Sequence, residues 1–311
     1  MTEGTHLAPA RGAKSESPRS DRAGGERRLG MLLAAPALLV MVLVTAYPLI
    51  YAAVLSLYNY RLTDPAGRTF VGLRNYGVIL TDPLWWGDFA TTLYITVFTV
   101  AIELVLGFVF AFVMLRIVRG RGPLRTAILI PYGIVTVVSA FIWRYAFAID
   151  SGFVNQWLHL GDFNWFGDRW SALFVICLSE IWKTTPFISL LLLAGLVQIP
   201  EDMLEAAKVD GASAWQRLWR VILPNMKAAI MVALLFRTLD AWRIFDNPYV
   251  MTGGASGTET LSFLAYRQNV SLVNLGMGSA LSVLLFFSVA IIAWIFIKVF
   301  KTDLSQVRGD K

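Results

Sequence analysis

Eight ionisable side chains interrupt stretches that are otherwise apolar enough to lie in a lipid bilayer: Glu103, Arg144, Glu180, Lys183, Arg237, Asp240, Arg243 and Asp246. A charge at the centre of a membrane helix costs about 2.5–3.5 kcal/mol or more, so these groups must face a bundle interior or a wet cavity. Four are acidic and four basic, so they can neutralise one another or offer mixed donors and acceptors to a polar solute. Glu180 and Lys183 stand three apart on one helix and are expected to pair. Arg237, Asp240, Arg243 and Asp246 alternate in sign at the same spacing. Each step of three residues turns about −60°, so this ladder winds around its helix. Trp182, Trp242, Phe245 and Tyr249 lie among the charges and could set aromatic faces beside them. Two readings stay open: pairs that only fix helix packing, or groups that line a path.

The elements that must position these residues are membrane helices. The 311-residue chain is 57% hydrophobic and 15% charged, against about 45–50% and 25% in soluble domains, and its mean hydropathy is +0.61. Apolar runs at about 29–57, 90–115, 124–148, 171–197, 225–249 and 276–300 can each cross a hydrocarbon core of about 30 Å as a helix. Six spans put both termini on one side. The segments on that side carry eighteen Lys and Arg; the opposite loops carry only Arg61, Arg68, Arg74, Arg169 and Arg267. The positive-inside rule makes the termini and the 198–227 loop cytoplasmic, in the plasma membrane of the cell. Residues 1–28, rich in Gly, Ser, Pro and Arg, are expected to form a disordered cytoplasmic tail, with a second short tail at 305–311 around a 29–304 membrane domain. The first apolar run is too long for a signal peptide and should persist as the first span. Trp85, Trp86, Trp157, Trp165 and Trp170 crowd the outer span ends, where headgroups favour indole rings.

The loop between the fourth and fifth spans is a folded projection and not a linker. Pro200 is placed to open a first short helix, and Gly211 can end it with a positive φ. Ser213 with Gln216 three residues on forms a capping box for a second helix. Trp215, Leu218, Trp219 and Ile222 recur at i, i+3, i+4 and i+7 and share a face. The expected product is a helix, a tight turn and a helix over 198–224.

Glu205-Ala206-Ala207, three residues, Gly211 and then Val221-Ile222-Leu223-Pro224 resemble the EAA loop of ABC-importer permeases. Ala228 departs from the second proline common in sugar permeases, which leaves the approach angle of the next span open. Phe70-Val71-Gly72-Leu73-Arg74-Asn75-Tyr76, Gly152-Phe153-Val154-Asn155 and Asp246-Asn247 with Thr252-Gly253-Gly254 resemble further segments of sugar-type permeases. Ile130 to Val135, Trp182 to Phe187 and Arg237 to Asp240 resemble the trehalose-import permeases of actinobacteria.

The resemblance implies an all-α integral membrane protein with the six helices of a type I ABC importer permease. It implies a role in passing a sugar, trehalose first among them, from an extracytoplasmic sugar-binding lipoprotein into the cytoplasm by alternating access. It also implies a second homologous permease chain and two ATPase subunits that carry the ATP and magnesium, with no cofactor on this chain. Glu205, Ala206, Ala207, Asp210, Gly211, Trp215, Leu223 and Pro224 would couple to the ATPase. Trp182, Lys183, Asp240, Trp242, Arg243, Asp246, Asn247 and Tyr249 would border the substrate path, and the segment around 252–275 would meet the binding protein.

No GxxxxGK with a following Ser or Thr occurs, nor an HExxH, a nucleophile elbow or a Rossmann glycine pattern, so nothing supports catalysis in this polypeptide. Cys177 stands alone in an apolar run, and His6 and His159 are far apart, so neither a disulfide nor a metal site is expected. The net charge of +6 follows membrane topology and not nucleic-acid binding. Three rivals stay open. The solute could be another sugar or a glycerol-phosphate-type molecule. A proton-coupled secondary transporter would use Glu103 or Asp240 as carrier. A membrane-embedded enzyme or scaffold would use the loop to recruit a soluble partner.

Overall fold

The computed structural model describes residues 19–117 and 120–307. The first helix, α1 (Arg19–Leu55), starts ten residues before the expected boundary at 29, because a helix once nucleated extends at little cost through Arg, Glu and Ala. The tail at 1–18 and the end at 308–311 lie outside the described residues. The part of α1 up to Tyr51 is a unit by itself, and its apolar run from Leu29 is long enough to cross a membrane.

The second unit begins at Ala52 with a feature the sequence reading did not contain. β1 (Tyr58–Arg61) and β2 (Asp64–Phe70) form an antiparallel hairpin. The Asn75 amide of α2 (Arg74–Thr81) donates to the carbonyls of Ser56 and Tyr58 at 2.7 and 3.0 Å, and Leu62 N–H donates to Val273 O at 2.9 Å. Short, polar strands with weak alternation give little periodic signal, which is why the hairpin escaped detection.

α3 (Pro83–Arg116) is capped by Asp82, whose carboxylate accepts from Leu84 N–H, with Pro83 at its first position. It is followed by α4 (Arg121–Gly133), α5 (Thr136–Ala146) and α6 (Phe153–Leu158). Next come α7 (Arg169–Val197), α8 (Glu201–Val209), α9 (Ala214–Arg217) and α10 (Leu223–Asn225). α11 (Lys227–Ala241), α12 (Asp246–Met251), α13 (Leu261–Tyr266) and α14 (Leu275–Val307) complete the chain. Among the described residues four helices are long and apolar enough to span alone, or up to six spans result if each of two bent pairs counts as one.

Two bends separate consecutive helices, and the second answers the approach angle left open at Ala228. α4 and α5 meet at 89°, where Pro131 withholds a hydrogen-bond donor and crowds the preceding turn. The segments Ala214–Asn225 and Lys227–Met251 meet at 71°. The fifth span is also interrupted between Ala241 and Asp246.

The core is built around α7, which is wrapped by its neighbours along most of its length. Ile176, Ile188 and Leu192 on α7 are fully buried. Gly195 lets α11 approach so closely that an added Cβ would collide with Ala229. Trp86, Trp157 and Trp170 are exposed as expected, but Trp85 is buried against Leu261 and Leu281. Trp165 is half-buried, and its indole N–H donates to Asn155 Oδ1 at 2.7 Å.

Candidate functional site: a braced cavity and a projecting hairpin

The intramembrane charges converge on Arg237. Its fully buried guanidinium on α11 donates from Nε and Nη2 to both oxygens of Glu103 on α3, at 2.5 and 2.9 Å. Nη2 also reaches Glu180 Oε1 on α7, and Nη1 reaches Asp240 Oδ2, each at 2.9 Å. Thr184 Oγ1 donates to Glu103 Oε1 at 2.8 Å, and Asn247 Nδ2 on α12 donates to Glu180 Oε2 at 2.6 Å. One planar fork thus ties α3, α7 and α11 together, and Glu180 extends the tie to α12. The expected Glu180–Lys183 pair does not form, because the guanidinium offers several fixed donors where an ammonium offers a point charge. The Arg237–Asp240 step of the ladder holds. The rest fails, since the helix stops at Ala241 and Arg243 Nε instead caps Leu239 O at 3.1 Å. Arg144 also serves the backbone, donating to Val250 O at 2.9 Å.

Beside this brace lies a cavity of about 530 Å³. Tyr132 and Thr136 line it from the α4–α5 break, Glu180, Lys183 and Thr184 from α7, and Asp240 from α11. Arg243, Ile244 and Phe245 of the fifth-span interruption close it, together with Asp246 and Asn247 of α12. Lys183 is 8% exposed, and among the described residues its ammonium has no hydrogen bond or ion pair; it stands 5.7 Å from the Tyr132 ring centroid. The amide of Asn247 is oriented by Glu180, since only its NH₂ can face a carboxylate. Its Oδ1 is therefore left as a buried acceptor with no partner. An ammonium without a hydrogen bond, hydroxyls and carboxylates together suit a neutral molecule rich in hydroxyl groups.

Of the residues expected on the path, Lys183, Asp240, Arg243, Asp246 and Asn247 come together on this wall. Trp182, Trp242 and Tyr249 do not line it. Trp182 packs edge-on against Trp143 at 5.9 Å. Trp242 turns into the core, with its N–H on Ser288 Oγ at 2.8 Å. Tyr249 joins a ring cluster with Phe245 and Phe263 at 5.0 and 5.3 Å. The interruption after Ala241 reorients Trp242 and Tyr249, which continuous helical spacing could not foresee. Tyr132, Thr136 and Thr184 were missed as lining; Pro131-Tyr132-Gly133 was a signal in sequence for the first two and not for Thr184 on α7.

The hairpin over 198–224 folds as its residues dictate. Gly211 has φ of +77°, and the two bonds that close the end of α8, Ala212 N–H to Ala207 O and Gly211 N–H to Lys208 O, are both 3.0 Å. That pairing is a Schellman motif, which needs a residue tolerant of the left-handed region. Pro200 serves as the N-cap, one residue before α8. Ser213 and Gln216 form the reciprocal capping box at 3.2 and 2.8 Å. One expectation fails: Leu218–Ile222 is a π-turn, so the four apolar residues split between two sides. Leu218 and Ile222 turn inward, while Trp215 and Trp219 stay 67% and 55% exposed with their rings 5.5 Å apart. Glu205, Ala206 and Asp210 are exposed, Ala207 and Leu223 are half-buried, and Pro224 is exposed.

Residues 103–302, which hold the brace, the cavity wall and the hairpin, match the family model of the binding-protein-dependent transport system inner membrane component. The chain belongs to this family. Its members here are ABC-importer permease subunits and not enzymes. Over 275 residues it is 54% identical to the trehalose transport system permease protein SugA of Mycobacterium tuberculosis, covering 88% of this chain and 89% of that one. The trehalose/maltose transport system permease protein MalF of Thermococcus litoralis is 39% identical over 279 residues, 88% and 94% of the two chains. Among solved structures, a chain of the bacterial alginate ABC transporter in complex with its alginate pentasaccharide-bound periplasmic protein superposes with a TM-score of 0.77. It is 17% identical, over 91% of this chain and 98% of that chain. The interrupted and bent helices of this permease therefore belong to a recurrent architecture.

Proposed function

We propose that this permease carries a sugar, trehalose before others, across the membrane by alternating access driven by ATP on separate subunits. The single observation that carries the solute reading is the 54% identity to a trehalose permease, extending over nearly the full length of both chains. The cavity adds physical support, because Lys183 offers a donor, and Asp240 and Asp246 offer acceptors, to uncharged hydroxyls along its wall. The hairpin with Glu205, Ala206, Ala207, Asp210, Gly211, Trp215, Leu223 and Pro224 docks in the ATPase, which holds the ATP and magnesium. Its exposed indoles and fixed turn give it the rigidity such a joint needs. The termini and this hairpin are cytoplasmic, as the Lys and Arg distribution requires.

A second permease chain completes the pore, two ATPase subunits drive it, and an extracytoplasmic sugar-binding protein delivers the solute. The family's own description and the alginate complex favour that last partner. Binding and hydrolysis act only through their different affinities for the two facing states.

The test is uptake of labelled trehalose in a strain lacking the gene and complemented with variants. Asp246→Ala and Asn247→Ala are expected to lower the rate or the apparent affinity at least tenfold. Unchanged uptake by both would remove the cavity from the path, and absence of any trehalose uptake by the intact chain would reassign the sugar.

A further inference from the structure

A second depression lies away from the cavity, between the end of α3 and the π-turn of the hairpin. It measures about 370 Å³ and is walled by Val109, Phe112, Val113 and Arg116 of α3 with Leu218 and Ile222 opposite. Val109 and Val113 are 51% and 38% exposed, so the groove opens to the outside of the bundle. Arg116 ends a helix of 34 residues, about 51 Å long, and is the first base after its apolar run. The groove therefore crosses the level at which hydrocarbon gives way to headgroups. Its walls are carbon on the hydrocarbon side, and among the described residues the charged lining group is the Arg116 guanidinium at the rim. The first and last residues of the π-turn, Leu218 and Ile222, are the two that face α3 across the groove.

We infer that this groove is a binding site for an anionic phospholipid, with an acyl chain between α3 and the hairpin and the phosphate on Arg116. Apolar walls alone would accept any lipid. The guanidinium makes the choice, because it pairs with phosphate bidentately and anionic headgroups bring no ammonium to repel it. The site needs only the chain's place in the membrane, not the coupling role of the hairpin. An occupant there would nonetheless fill the space against which the hairpin moves.

The experiment uses the whole assembly in nanodiscs of phosphatidylcholine, with a minor fraction of phosphatidylglycerol that carries a photoreactive acyl chain. Mass spectrometry of cross-linked peptides should place adducts on the 109–116 and 218–222 segments. Arg116→Gln should lower their yield about fivefold, the factor one base near an anionic surface supplies, while Arg116→Lys keeps most of it. Val113→Trp, which fills the groove, should abolish them. Equal labelling by a phosphatidylcholine probe, or a yield unmoved by Arg116→Gln, would overturn the assignment. So would a cysteine at position 113 that cross-links to another subunit, because a protein would then occupy the groove.

Discussion

Replacing Arg237 by Met removes the one cation that serves two fully or nearly buried carboxylates. Glu103 would keep a single donor, Thr184 Oγ1, and Glu180 would keep only Asn247 Nδ2. The buried set of Glu103, Glu180 and Arg237 carries a formal −1, and the substitution takes it to −2 with no cation in hydrogen-bond reach. Breaking a buried ion pair by deleting one partner costs about 3–5 kcal/mol, since the orphaned charge remains in low dielectric. For chains of comparable size about 1 kcal/mol moves the melting temperature by roughly 2–4 °C, so the loss should be on the order of 10 °C. The assay is the thermal stability of the purified assembly in detergent, read by size-exclusion fluorescence, alongside trehalose uptake. Arg237→Lys should fall between, as it keeps the charge and loses the fork. Adding Glu103→Gln to Arg237→Met should restore about 1–3 kcal/mol, the interaction energy expected of direct neighbours. A melting temperature within about 2 °C of wild type for Arg237→Met, with no coupling to Glu103→Gln, would show that the brace does not hold the bundle.

Lys183→Met removes a mostly buried ammonium that, among the described residues, has the Tyr132 ring but no hydrogen bond or ion pair, so the protein should become more stable while import falls about tenfold or more, the worth of one charged hydrogen bond. A parallel gain in both would mean that the ammonium never meets solute. Gly211→Pro cannot adopt the observed φ and deletes the Gly211 N–H bond to Lys208. Solute-stimulated ATP hydrolysis should be lost with membrane insertion intact, whereas normal stimulation would argue against docking through the hairpin. Glu259, outside the spans, has its carboxyl held above the usual range by burial, with Arg267 at 3.1 Å opposing that shift. The unfolded chain releases this proton near pH 4.5 and the folded one only higher, so stability should decline as pH rises above about 4.5. Glu259→Gln should flatten that part of the pH–melting profile, and an unaltered slope would exclude this group.

What the sequence disclosed and what it hid divide along one physical line. Local rules were readable: the capping box at Ser213 and the positive φ at Gly211 each depend on a few adjacent residues, and both are found in the structure. The need for buried compensation was also readable, because eight charges in apolar runs must find partners or water. Which partners they found was not, since Glu103, Glu180 and Arg237 meet across three helices and spacing along one chain reports only neighbours on one helix. The same limit explains the lost ladder. Its spacing assumes a helix unbroken from Arg237 to Asp246, yet the helix stops at Ala241, where no proline or glycine marks the stop. A backbone freed of its helical bonds at membrane depth is tolerated only against protein or water. The interruption at 242–245 and the break after Pro131 border the same cavity, so two of the places where helical periodicity fails are backed by one polar-walled space. In this chain those two errors of a helix-by-helix reading share one physical cause, backbone released from its helix that must lie against protein or water.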